Sequence, residues 1–181
     1  IDAAFGGRGM PAIKLRGAVA DVRTARGIDL QVEVAAREWW RPAAVTDGLR
    51  LPPFRASARV RDTQQGYRVD NLELKIADST VSASLQVARS GPRLRITGTA
   101  ASPLIDLSRI APAKGGVNAS AAAGSPRSAD HWKLANVDLS LKIGRLVFPD
   151  GRELQSGSGR LALDGGRLAA RALQAALGGA N

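Results

Sequence analysis

The chain has 181 residues, of which 26 are Lys or Arg and 16 are Asp or Glu, giving a formal net charge of +10 and a pI near 11.3. It has no cysteine, which excludes disulfide frameworks, thiolate metal sites and cysteine nucleophiles; its single histidine, His131, excludes histidine-rich metal centres and most histidine-based acid–base schemes. The length suffices for one domain or one long sheet, and no run approaches the roughly 20 apolar residues that a membrane-spanning helix needs.

The chain opens on Gly6-Gly7-Arg8-Gly9, which lacks the strand-to-helix context and the Lys-Ser/Thr pair of a phosphate loop and reads as a flexible end. After a turn at Thr24-Ala25-Arg26-Gly27, the run Ile28 to Val34 alternates apolar and polar residues. A period of two marks a strand with one apolar side. Glu38 to Val45, with Trp39-Trp40, occupies the place of a short helix. Further strands follow at Ala56 to Val60, Tyr67 to Ile76, Val81 to Val87 and Leu94 to Gly98. They are separated by turns at Thr63-Gln64-Gln65-Gly66, Ala77-Asp78-Ser79 and Ser90-Gly91-Pro92. Ser102 to Ile110 predicts a second short helix, with Ser102 as N-cap, Pro103 at the first helical position and Pro112 as the stop.

From Ala113 to about Asp130 the sequence turns to Gly, Ser, Ala and Asn without periodicity, as in a linker or surface loop. The alternation resumes at Val137 to Ile143, and Phe148-Pro149-Asp150-Gly151 and Asp164-Gly165-Gly166 predict hairpin turns. Breaks in the alternation at Asp70-Asn71, Gly144 and Ala172 predict bulges. Connections of only a few residues favour antiparallel pairing. The predicted fold is mainly β: a twisted, curved antiparallel sheet, an open groove or taco-like shape, with one or two short helices and a disordered-looking loop near 113–130. Its organisation is a first strand set over 1–112 closed by the helix near 102–111, a linker over 113–133, and a second set over 134–181. Ile1 and Asn181 both read as cuts through a longer protein.

No residues assemble into a catalytic motif. Asp78, Asp150 and Asp164 are turn formers, and no Gly-x-Ser-x-Gly elbow is present. The expectation is therefore no catalytic residue, no metal site and no cofactor. Arginines such as Arg55, Arg59, Arg61, Arg93 and Arg95 fall at polar positions of the alternation, where a solvated strand face carries charge. With aromatics at 4% of the chain, no nucleic acid is expected as a partner, and a basic nucleic-acid-binding domain is a distant third reading.

The runs Leu51-Pro52-Pro53-Phe54 to Val60, Leu72-Glu73-Leu74 to Val87, and Ser102-Pro103-Leu104-Ile105-Asp106-Leu107 resemble the large periplasmic part of the AsmA family. The segment from Val137-Asp138-Leu139 through Asp164-Gly165-Gly166 to Leu177-Gly178-Gly179 is similar as well, whereas Asp78-Ser79-Thr80 departs from the glycine that family members often carry. The resemblance implies a non-enzymatic periplasmic protein anchored to the inner membrane by sequence outside this chain. It implies an apolar β-groove along which phospholipid moves toward the outer membrane, with phospholipid and envelope proteins as partners.

The residues expected to line that groove are Leu30, Val32, Val60, Leu74, Ile76, Val81, Leu85, Val87, Leu94, Ile96, Leu139, Leu141, Ile143, Leu161 and Leu163. The alternative is a non-catalytic β-sandwich with a structural or protein-interaction role, in which the same faces close on one another.

Overall fold

The structure is a computed structural model that describes residues 1–7, 10–21, 23–24, 26–37, 52–90, 93–110, 135–165 and 167–177. The helix expected around Trp39-Trp40, the loop expected at 113–130 and His131 lie outside the described residues. Ten strands follow in chain order: β1 (Asp2–Phe5), β2 (Ala12–Asp21), β3 (Arg26–Ala36), β4 (Phe54–Thr63), β5 (Gly66–Ile76), β6 (Ser79–Ser90), β7 (Arg93–Asp106), β8 (Ala135–Val147), β9 (Glu153–Asp164) and β10 (Arg167–Leu177). Among the described residues one helix, α1 (Leu107–Ile110), lies between β7 and β8. All ten strands belong to one sheet whose spatial order is the sequence order, and among the described residues β1 and β10 are its two edges.

Short turns produce this order, because a chain that reverses within a few residues places each strand beside the last. At the β9–β10 turn Gly165 adopts φ 56, and at the β8–β9 turn Gly151 adopts φ 81 while its amide donates to the Phe148 carbonyl at 3.0 Å. Glycine enters that region without the steric cost a side chain imposes. Every neighbouring pair is antiparallel except one: β7 and β8 run parallel, with Leu94 opposite Ala135 and Asp106 opposite Val147. A parallel pair needs a long crossover, and β7 and β8 are joined by the long connection 107–134. The two predicted strand sets thereby join in one sheet.

The helix expected from Ser102 is corrected to a single turn. β7 continues to Asp106, and Asp106 supplies the cap, its Oδ1 accepting from the Ser108 amide at 2.9 Å. The Ser102 hydroxyl instead lies 2.7 Å from the Thr80 carbonyl on β6. Pro103 is accommodated in the strand because Gly144 stands beside it on β8; a Cβ there would come within 2.6 Å of the Pro103 carbonyl oxygen.

The expected bulges are found at two places. The β5 register shifts between Val69 and Leu72, with Asn71 at φ 52, and the β10 register shifts between Arg171 and Gln174, with Ala172 at φ 50. At Gly144 the register does not shift, but Gly144 and Ser156 (φ 55) drop out of the ladder together. Each irregularity moves the following residues to the opposite parity, so Val69 and Leu72, or Ile143 and Leu146, share a face. A bulge also bends its strand and increases local twist.

On the polar face, arginines bridge carboxylates across strands. Arg59 on β4 grips Asp29 on β3 with two bonds of 2.7 and 2.6 Å, Arg61 and Arg68 both reach Asp70, and Arg160 on β9 grips Asp138 on β8. Hydrogen bonding from Arg59, Arg61 and Arg160 respectively holds the Asp29, Asp70 and Asp138 carboxyls below their ordinary value. Because their folded values are depressed, these carboxylates stabilise the fold above the unfolded value of about 3.9, and that contribution is lost as pH falls through the lower folded values. The melting temperature followed by circular dichroism is therefore expected to fall between about pH 5 and about pH 2. Because the pairs are exposed, added salt is expected to weaken the effect.

Candidate functional site: the apolar face of the sheet

Residues directly opposite in a ladder project to the same side, so the register carries one face across the whole sheet. Leu30 pairs with Val60, Val60 with Val69, Val69 with Leu85, Leu85 with Gly98, Gly98 with Leu139, and Leu139 with Leu161. Followed in this way, all fifteen residues expected to line a groove fall on one face. The opposite face carries Asp29, Arg59, Arg61, Asp70, Gln86, Lys142 and Arg160.

The apolar face is only partly covered. Of the fifteen, Ile76 (8% exposed) and Leu163 (6%) are buried, Leu94 is exposed at 44%, and the others are half-buried. Substantial contacts among the described elements run only between strands adjacent in the sheet, and between α1 and β8. Among the described residues, then, no second sheet or long helix lies on this face.

Several residues on the same face were not anticipated. Ile13, Leu15 and Val19 of β2 pair with Val34, Val32 and Ile28 of β3 and extend the face toward β1. Their signal was present in the alternation of Ala12-Ile13-Lys14-Leu15-Arg16. Leu146 and Leu154 join the face only because Gly144 and Ser156 reset the parity, a change that requires knowing the β8–β9 pairing.

An apolar cavity lies at β8–β10. A cavity of about 270 Å³ is walled by Leu141, Ile143, Leu146, Leu154, Leu161 and Leu173 and has almost no polar surface. Its floor is formed by Gly157 and Gly159 of β9, which stand opposite Ile143 and Leu141. Two glycines at alternate positions leave a gap where a strand would otherwise present side chains, and Leu173, 71% exposed, overhangs it from the edge strand.

Chemically, this surface can cover apolar matter, an alkyl chain or another apolar protein face alike. Among the described residues no group of three or more His, Cys, Asp or Glu side chains comes together to hold a metal. Nor, among them, is any helix long and apolar enough to cross a membrane. No protein-family model matches the chain, and no curated protein or solved structure is significantly similar to it.

Proposed function

We propose that the chain is a segment of an AsmA-like periplasmic protein, anchored to the inner membrane by sequence outside it. In this reading its apolar β-face is a groove for phospholipid movement between the inner and outer membranes, serving outer-membrane biogenesis and lipid homeostasis. It is not an enzyme and uses no cofactor.

The observation that carries this reading is a continuous apolar face from β2 to β10 with no covering layer among the described residues. Strands of 10 to 14 residues, as in β2 and β7, extend roughly 33 to 46 Å at about 3.3 Å per residue. One leaflet of a bilayer core is about 15 Å thick. Acyl chains therefore fit along or across the strands with their methylenes against leucine, isoleucine and valine, each buried CH₂ contributing about 0.8 kcal/mol.

Organic extraction of the purified protein followed by mass spectrometry is expected to release diacyl phospholipid. Lipid-free protein that self-associates through this face would overturn the reading in favour of a sandwich closed between molecules. A sandwich closed within the described residues finds no support, because substantial contacts among the described elements run only between neighbouring strands and between α1 and β8.

A further inference from the structure

The apolar face differs from one end of its strands to the other. On β3 to β6 the buried residues gather at one end, with Ala36, Ile76 and Ser79 at 8%, 8% and 1% exposure. The opposite end is open: Tyr67 is 38% exposed and Leu94 44%.

At that open end the apolar phase of several strands finishes on a charge. Arg26 stands two residues before Ile28 on β3, Asp62 two after Val60 on β4, and Arg89 two after Val87 on β6. For Asp62 and Arg89 the ladder gives the side: Asp62 is opposite Tyr67, Tyr67 opposite Val87, and Arg89 opposite Leu94.

Arg26, Asp62 and Arg89 line one cavity of about 680 Å³ together with Tyr67, Val87 and Leu94. Asp62 is committed to the backbone, its two oxygens accepting from the Gly27 and Ile28 amides at 2.9 and 2.8 Å. Nearby Asp21 is likewise engaged by the Arg23 and Thr24 amides and the Thr24 hydroxyl. Arg26 and Arg89, by contrast, have no carboxylate partner among the described residues, unlike Arg59, Arg61, Arg68, Arg145 and Arg160 on the sheet.

Two guanidinium groups without a carboxylate partner among the described residues, lining one cavity at the open end of the apolar face, match an amphiphile with a phosphate at one end and alkyl chains behind it. Arginine suits phosphate because its fork of donors meets the oxygens in pairs. Resting on the phospholipid-groove reading above, we infer that the Arg26–Arg89 cavity is a headgroup site, holding the phosphate of a glycerophospholipid while its tails lie over Val87, Leu85 and the adjoining apolar face. Lipid thus lies on the sheet with one polarity, headgroup toward the β2–β3, β4–β5 and β6–β7 turns.

The test uses the whole chain and vesicles containing either fluorescent phosphatidylglycerol or fluorescent diacylglycerol, which has the same tails without the phosphate. In the Arg26→Gln/Arg89→Gln variant, phosphatidylglycerol uptake is expected to fall about tenfold, the loss of roughly one charge-assisted contact, with diacylglycerol uptake unchanged. Arg26→Lys/Arg89→Lys is expected to recover part of the loss. Unchanged uptake of phosphatidylglycerol by the glutamine variant would overturn the headgroup site while leaving the groove standing. Equal loss of both lipids would assign the arginines to the fold and also overturn it. Displacement of the lipid by inorganic phosphate would show a free-anion site instead. Wild-type protein that takes up neither lipid would remove the groove and this site together.

Discussion

Gly98→Val is expected to cost about 3 kcal/mol of stability, a large share of the 5–15 kcal/mol typical of a folded domain. Gly98 sits on β7 in the interior of the sheet, opposite Leu85 on β6 and beside Leu139 on β8. A Cβ at this position would lie 2.1 Å from the Ser84 carbonyl oxygen and 3.0 Å from both the Leu85 Cα and Cδ2. Two of those three atoms are backbone, so relief requires parting the β6–β7 ladder rather than rotating a side chain. Urea unfolding reads the effect as a midpoint lowered by about 1–3 M for a slope of about 1–3 kcal/mol/M. A midpoint equal to wild type would mean that the β6–β7 register is not the one described. Gly157→Ala serves as the contrast: the nearest atoms to a Cβ there are 4.0 Å away, an ordinary contact, and little change is expected.

That same open space underlies the second expectation. Gly157→Leu extends a side chain from the floor of the cavity lined by Ile143, Leu154 and Leu173, at a position where a Cβ meets nothing nearer than 4.0 Å. If an acyl chain occupies the cavity, the new side chain displaces about two of its methylenes. At about 0.8 kcal/mol each this is about 1.6 kcal/mol, or roughly fifteenfold in affinity. Lipid uptake from vesicles is expected to fall accordingly while the urea midpoint holds or rises, since a strand glycine is replaced by a residue with a side chain to pack. Undiminished uptake would remove this cavity from the lipid path.

What could be read from the sequence follows the range of the interactions involved. The strands and the sidedness of the face depend on a period of two within a single segment, and the residues from Leu30 to Leu163 were accordingly assigned to one face. Asn71 and Ala172 disturbed that period locally and were legible as bulges. Helix signals at Ser102-Pro103 were overridden by a partner far along the chain, since Gly144 opens space for Pro103 and Thr80 takes the Ser102 hydroxyl. No local pattern contains that pairing. The parallel β7–β8 seam was hidden for the same reason: short turns elsewhere argued for antiparallel neighbours throughout. The β9 cavity required both levels, because the two glycines are visible in Ser156-Gly157-Ser158-Gly159 but the leucines around them arrive from β8 and β10.

The central claim is that one face of the sheet meets lipid and the other meets water. Photocrosslinking amino acids placed singly at Leu85 and Leu141 on the apolar face, and at Gln86 and Lys142 beside them on the polar face, test it directly in envelope membranes. Adducts of phospholipid mass at Leu85 and Leu141, and none at Gln86 and Lys142, are the predicted result. Lipid adducts of equal yield on both faces, or protein–protein adducts alone at Leu85 and Leu141, would contradict it.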